Sequence, residues 1–300
     1  MKINKTLLEE FYLGLDERSK AALDRATERV VETKKRGGKV AVVTGSGPNL
    51  HEGVTTLIAE LMDKGIVDGV TTSSAVVNHE MGGALDRVKM CDASQFGFDK
   101  AKMPRGNVFE FTELSCEQKD ALRKEMLLDE ELLKKGDNAS GHMVIKAAAN
   151  MAYPMGLRTE KLAEEILGLC RQSGLPFETI AGWGCDPKTM LGKGAEKNIP
   201  VLVTIPQMVG GGHVGLSVGD SIPIAERSSR IASMLGSADV IIESAVALTQ
   251  EIHDGPFETY TGHGIWSWWQ GQSVYSLENK TLIRFDLDEN LRKAQDIQKE

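Results

Sequence analysis

The stretch from Gly38 to Ala75 limits the possible folds of this chain more than any other. A short apolar run, Val40-Ala41-Val42-Val43, opens into the loop Gly45-Ser46-Gly47-Pro48-Asn49-Leu50-His51-Glu52-Gly53. A helical run from Val54 to Lys64 follows, and then a second run, Ile66 to Ala75, that ends Thr71-Thr72-Ser73-Ser74. A strand that opens through a Gly-rich loop into a helix leaves backbone N–H groups free to meet a phosphate. The hydroxyls ending the second strand fall on the same sheet edge. The order is that of a nucleotide site, although a tight turn between strand and helix needs the same glycines.

The same alternation continues along the chain. Residues 5–36 read as a helix, with Leu7, Leu8, Phe11, Leu15, Ala22, Leu23, Ala26 and Val30 near the 3.6 period, closed by Gly37-Gly38. Residues 75–90 read as a further helix. Residues 92–140 are less regular and include a charged helix, Glu117 to Lys135. Thr159 is placed to cap a helix carrying Leu162, Ile166 and Leu169, and Pro187–Lys197 is helical. The runs Ile199–Val203, Asp239–Ile242 and Thr281–Asp286 read as strands, with a helix Ile224–Leu235 before the second and a charged helix after the third. Strands alternating with helices predict an α/β fold, a mainly parallel sheet with helices on both faces. Residues 1–300 form one domain in this reading, with 1–36 as an N-terminal helical arm and 92–140 as an irregular, helical insertion.

Composition narrows the function. The net charge of −8 disfavours nucleic acid as a partner and is compatible with a cationic small molecule. No apolar run reaches membrane-spanning length, and the first residues, Met1-Lys2-Ile3-Asn4-Lys5, carry no secretory core. Cys91, Cys116, Cys170 and Cys185 form no C-x-x-C pair. Reduced thiols in a cytoplasmic protein are the expectation.

Four groups of residues have the chemistry of a site. His79-Glu80 stands just after the second strand, where it can orient a substrate or move a proton, or serve as a cap on a solvated helix face. Gly210-Gly211-Gly212-His213 follows a strand and fits close backbone approach to a ligand, or a flexible loop. The segment Gln250–Gln270 holds three of the four tryptophans, two of the six histidines and the acids Glu251, Asp254 and Glu258. Aromatic faces beside carboxylates suit an amine or guanidinium, and also an oligomer interface. The fourth group is the Gly45–Gly53 loop itself. It lacks the third glycine of G-x-G-x-x-G, and no acid ends the second strand, since Asp68 precedes it. It also lacks the lysine of a P-loop, which disfavours ATP hydrolysis. The histidines fall into no metal-binding spacing, and no metal is expected.

These runs together resemble the deoxyhypusine synthase family. The resemblance rests on Thr44-Gly45-Ser46-Gly47-Pro48-Asn49, Asp63-Lys64-Gly65-Ile66-Val67-Asp68 and Thr71 to Glu80. In the second half it rests on Glu196 to Val201, Ser237 to Val240, Thr249-Gln250-Glu251, Asp254-Gly255 and Leu282 to Asp286. The same runs are similar to the archaeal-type ornithine cyclodeaminases. The resemblance implies a Rossmann-like fold that binds NAD, in a homotetramer or homodimer. It implies that Ser46, Gly47 and Asn49 contact NAD, that Ser73, Ser74 and Ala75 line its nicotinamide side, and that Asp286 holds a ribose hydroxyl. It makes His213 or His253 a proton-moving histidine and Trp268 or Trp269 the aromatic that stacks on an amine. Where the family has a lysine that forms an imine, this chain has Gln270, whose amide nitrogen is no nucleophile.

The expected function is therefore the NAD-dependent oxidation of a small amine or amino acid to an imine, with hydride return in the same turnover as one variant. His79, His253 and His213 are the candidate acid–bases, and Glu80, Glu251 and Asp254 the candidate holders of a cation. The alternatives are a non-catalytic dinucleotide-binding protein, motivated by Gln270, and a metal-dependent hydrolase or lyase using the same histidines.

Overall fold

The structure, a computed structural model, describes residues 5–45, 54–82, 86–103, 107–146, 152–204, 208, 211–243 and 279–284. Its centre is a five-stranded sheet of β1 (Val40–Val43), β2 (Gly69–Thr72), β6 (Val201–Val203), β7 (Val240–Glu243) and β8 (Thr281–Arg284). Every pairing is parallel and the spatial order is β6-β2-β1-β7-β8. By position along the chain that order is third, second, first, fourth, fifth, which is the doubly wound arrangement.

β1, β6 and β7 are short and almost wholly apolar because helices cover both of their faces. Val42, Val70, Val201 and Val203 face one core, packed by α3 (Val54–Asp63), α4 (Ser74–Met81), α7 (Met155–Ser173), α8 (Phe177–Gly184), α9 (Met190–Lys197) and α10 (Gly212–Ser221). Ala41, Val43, Leu202 and Ile241 face the other, under Ile231 and Leu235 of α11 (Ile224–Ser237). A fully buried Val or Ile contributes about 1.5–3 kcal/mol. Two aspartates set the amino ends of the central strands. Asp68 accepts from Val40 N at 2.8 Å and pairs with Lys34 at 2.7 Å, and Asp239 accepts from Lys39 N at 2.9 Å.

The N-terminal helix is two helices, α1 (Lys5–Gly14) and α2 (Glu17–Lys35), where one spanning 5–36 was expected. Asp16 caps the second by accepting from Ser19 N at 2.8 Å, so the chain breaks there. Gly37 follows with φ +78, a left-handed turn suited to glycine.

Between β2 and β6 lies a second sheet that the sequence did not announce. β3 (Asp86–Asp92) pairs antiparallel with β4 (Val108–Thr112) on one side and β5 (Gly141–Lys146) on the other. The helix expected over 75–90 ends at Met81, and β3 takes residues from 86 onward. The charged helix expected over 117–135 is α5 (Cys116–Glu125) and α6 (Glu130–Asn138). Ser115 forms a capping box with Gln118, and Asp129 caps α6 through Leu132 N. Leu122, Leu128 and Leu133 pack on Phe96 and Phe111 of this unit. Thr159 is not a cap: α7 starts at Met155, and the Thr159 hydroxyl donates back to the Met155 carbonyl at 2.8 Å. Among the described residues no helix is long and apolar enough to cross a membrane.

Candidate functional site

In a doubly wound sheet the connections from the first and fourth strands leave in opposite directions, which opens a crevice at the carboxyl ends between them. Here those strands are β1 and β7, with Val43 level with Glu243. Thr44 and Gly45, which enter the Gly-rich loop, are buried at that edge. Thr44 N donates to Thr71 O at 2.9 Å, and Thr204 N donates to Thr72 O at 2.9 Å. The carboxyl edge thus reads Thr204, Thr72-Ser73, Thr44, Glu243 from one side of the crevice to the other.

Most polar atoms buried in a protein have a partner. Among the described residues seven buried side-chain oxygens have none; four of them stand at the strand ends, Thr71 Oγ1, Thr72 Oγ1, Thr204 Oγ1 and Glu243 Oε1, and a fifth, Asn78 Oδ1, lies on the helix that follows β2. Each orphaned atom costs about 1–3 kcal/mol unless something supplies a hydrogen bond. Glu243 is wholly buried, and only its other oxygen is occupied, by Arg284 Nε at 2.7 Å.

Two helices point their N-termini at this edge. Ser73 caps α4 by accepting from Val76 N at 3.2 Å, and Ser74 opens the helix fully buried. The N-terminus of α10 lies against it: Asn78 Nδ2 donates to Gly211 O at 3.2 Å, and a Cβ on Gly211 would sit 2.6 Å from Ser74 O. Gly211 is therefore required by contact with α4. Gly212, with φ +58, is suited to a left-handed turn into α10. His213 stands exposed in the first turn of α10.

The structure thus gathers Ser73, Ser74 and Ala75 with the first turn of α10 that carries His213. His79 and Glu80 lie further along α4, in its last turn, away from the strand ends. Glu80 is buried and faces α9: its two oxygens accept from Met190 N at 3.0 Å and Leu191 N at 2.9 Å. Burial pushes its pKa up to about 7, outweighing the two backbone donors that favour the charge. Cys185, pushed up to about 12 by burial and then by Glu80, stays a protonated thiol. Ser46, Gly47, Asn49, Glu251, His253, Asp254, Trp268, Trp269, Gln270 and Asp286 lie outside the described residues.

Sequence reasoning passed over Asn78, Thr204 and Glu243. Glu243 had a readable signal, an acid closing the apolar strand Val240-Ile241-Ile242. A cavity of about 570 Å³ lies at the opposite, amino edge, lined by Lys39, Asp68, Arg230, Ser233 and Met234, where no orphaned oxygen gathers. Among the described residues no three His, Cys, Asp or Glu side chains are grouped to hold a metal ion.

No protein-family model matches the chain, and no curated protein does. Solved structures give weak likenesses. A protein of Entamoeba histolytica described as a deoxyhypusine synthase is 9% identical with TM-score 0.48, over 99% of this chain and 93% of its own. AgrE, in a complex with ornithine and NAD+, is 12% identical with TM-score 0.40, over 83% of this chain and 27% of its own. ArgZ, a cyanobacterial arginine dihydrolase, is 13% identical with TM-score 0.38, over 76% of this chain and 24% of its own. The chain thus spans about a quarter of the length of AgrE and ArgZ. Such scores are too low to transfer a reaction, and the fold rests on the strand order of this chain.

Proposed function

We propose that the chain is an NAD-dependent enzyme that oxidises a small amine or amino acid to an imine. One observation carries the reading: four orphaned buried oxygens at the carboxyl edge of a doubly wound sheet, where a dinucleotide lies in folds of this order. Hydroxyls can donate to phosphate oxygens or accept from ribose, and a carboxylate oxygen accepts from ribose, so these residues fit such a ligand.

In this reading Ser46, Gly47 and Asn49 hold the diphosphate, and Ser73, Ser74 and Ala75 border the nicotinamide. Bound NAD supplies the acceptor for the hydride that leaves the carbon bearing nitrogen. The proton lost from that nitrogen goes to a histidine, for which His213 and His253 are the candidates, His79 lying in the last turn of α4 away from the strand ends. Glu251 and Asp254 pair with the cationic substrate and Trp268 or Trp269 stacks on it. Glu80 acts from a distance by fixing α4 against α9. Gln270 excludes an imine between substrate and protein at that position. A homotetramer or homodimer is the proposed assembly.

The test is direct. NAD added to the purified protein raises the melting temperature by mass action, and diamines or amino acids then generate NADH absorbance. A rise without NADH favours the non-catalytic dinucleotide binder. The absence of any rise removes NAD from the reading.

A further inference from the structure

We propose that Glu243 is a ligand-binding carboxylate that accepts a hydrogen bond from a ribose hydroxyl of the bound dinucleotide. The inference rests on the reading of this edge as a dinucleotide site and adds a residue to it. Glu243 ends β7, beside the crevice, and is wholly buried. Arg284 Nε occupies one oxygen at 2.7 Å, and the other has no partner. An acid at a strand end is how doubly wound folds hold a ribose, but the acid commonly ends the second strand. Here β2 ends in Thr71-Thr72, and the acid stands across the crevice on the fourth strand of this sheet in chain order.

The partner of Glu243 is best a neutral donor. The Arg284 guanidinium already balances the carboxylate charge, so a second cation at the free oxygen would face a like charge within the same small space. A hydroxyl satisfies the oxygen without that repulsion. Val43 is level with Glu243 on one side and Thr71 on the other, so Thr71 shares the face two strands away, roughly 10 Å by strand spacing. The buried Val43 side chain fills that interval, so a hydroxyl reaches Glu243 from beyond the strand ends.

The experiment compares NAD with its four monodeoxy forms, lacking the 2′- or 3′-hydroxyl of either ribose, by calorimetric titration of the full chain. The wild-type protein binds at least one deoxy form about tenfold or more weakly, as expected for a hydrogen bond to a charged acceptor. In Glu243→Leu that discrimination disappears, and Glu243→Gln falls between. If every deoxy form binds the wild type as tightly as NAD, a buried water serves the oxygen and the inference is overturned. It is also overturned if Glu243→Leu weakens the binding of a diamine but leaves the deoxy discrimination intact. Should Glu243→Leu fail to fold, as judged by circular dichroism, the near-isosteric Glu243→Gln carries the comparison, and discrimination unchanged in Glu243→Gln overturns the inference. If the wild type binds no NAD, the functional reading itself fails, and that outcome is distinct from binding without discrimination.

Discussion

Arg227 and Glu178 form an ion pair sealed inside the protein, with side-chain exposures of 1% and 0%. The pair also satisfies the outer side of edge strand β6. Val203 N donates to Glu178 at 2.6 Å, and Arg227 donates to Val203 O at 3.2 Å. Arg227 further donates to Val218 O and Ser221 Oγ near the end of α10. An edge strand with free N–H and C=O groups invites another chain, and here two side chains close it. The next residue is Thr204, so the pair also fixes one end of the hydroxyl row. Removing one partner strands a charge in the core. Arg227→Met should lose about 3–5 kcal/mol in urea unfolding, and Arg227→Met with Glu178→Leu should recover part of it, short of full recovery because Val203 stays unpaired.

Glu80 gives stability an unusual pH dependence. Its carboxyl is raised from 4.5 to about 7 in the folded protein. Between those values the native state keeps a proton that the unfolded chain has lost, so this contribution falls as pH rises, by roughly 3 kcal/mol in all. It is fully present below pH 4.5 and gone above pH 7. Melting temperatures of wild type and Glu80→Gln, measured from about pH 5 to 8, should converge at the acid end and diverge at the basic end. Parallel profiles would show that Glu80 does not titrate there.

Ser73 separates a structural from a ligand-binding role. Its hydroxyl caps α4 through Val76 N. Ser73→Ala should cost about 1 kcal/mol without any ligand. If Ser73 also borders the nicotinamide, the melting-temperature gain on adding NAD shrinks as well. An unchanged gain assigns the hydroxyl to the cap alone.

The central sheet was legible because Val40–Val43, Val201–Val203 and Val240–Ile242 are apolar runs between glycines, prolines and polar residues, whose burial on both faces needs no alternation. β3 was not legible. Asp86-Arg87-Val88-Lys89-Met90-Cys91-Asp92 buries only Val88 and Cys91, so neither period emerges, and its pairing with β4 and β5 is supplied from distant sequence. α8 and α10 were missed because glycine has low helix propensity. Those glycines serve close packing instead: a Cβ on Gly182 would lie 2.6 Å from Leu191 O, and one on Gly215 would lie 2.4 Å from Met208 O. At the site, Ser73 and Ser74 were readable from their place after a strand. Glu243 needed the strand order, since only that order sets the end of β7 beside the end of β1.

Two glycines of the α10 region make opposite predictions. At Gly211 a Cβ would fall 2.6 Å from Ser74 O and 2.8 Å from Ser74 C, both rigid backbone atoms, so Gly211→Ala must push α10 off α4 and loosen the Asn78 bond to Gly211 O. Overpacking of this kind costs about 1–3 kcal/mol. Gly219 lies within α10 with nothing within 4 Å of its Cβ, so Gly219→Ala should gain about 0.5–1 kcal/mol from helix propensity. The readouts are the urea midpoint and the temperature shift on adding NAD. Gly211→Ala should lower both, because Ser74 heads α4 at the strand ends, whereas Gly219→Ala should raise the midpoint and leave the shift alone. If both substitutions move the shift equally, the contact between α10 and α4 has no part in shaping the site.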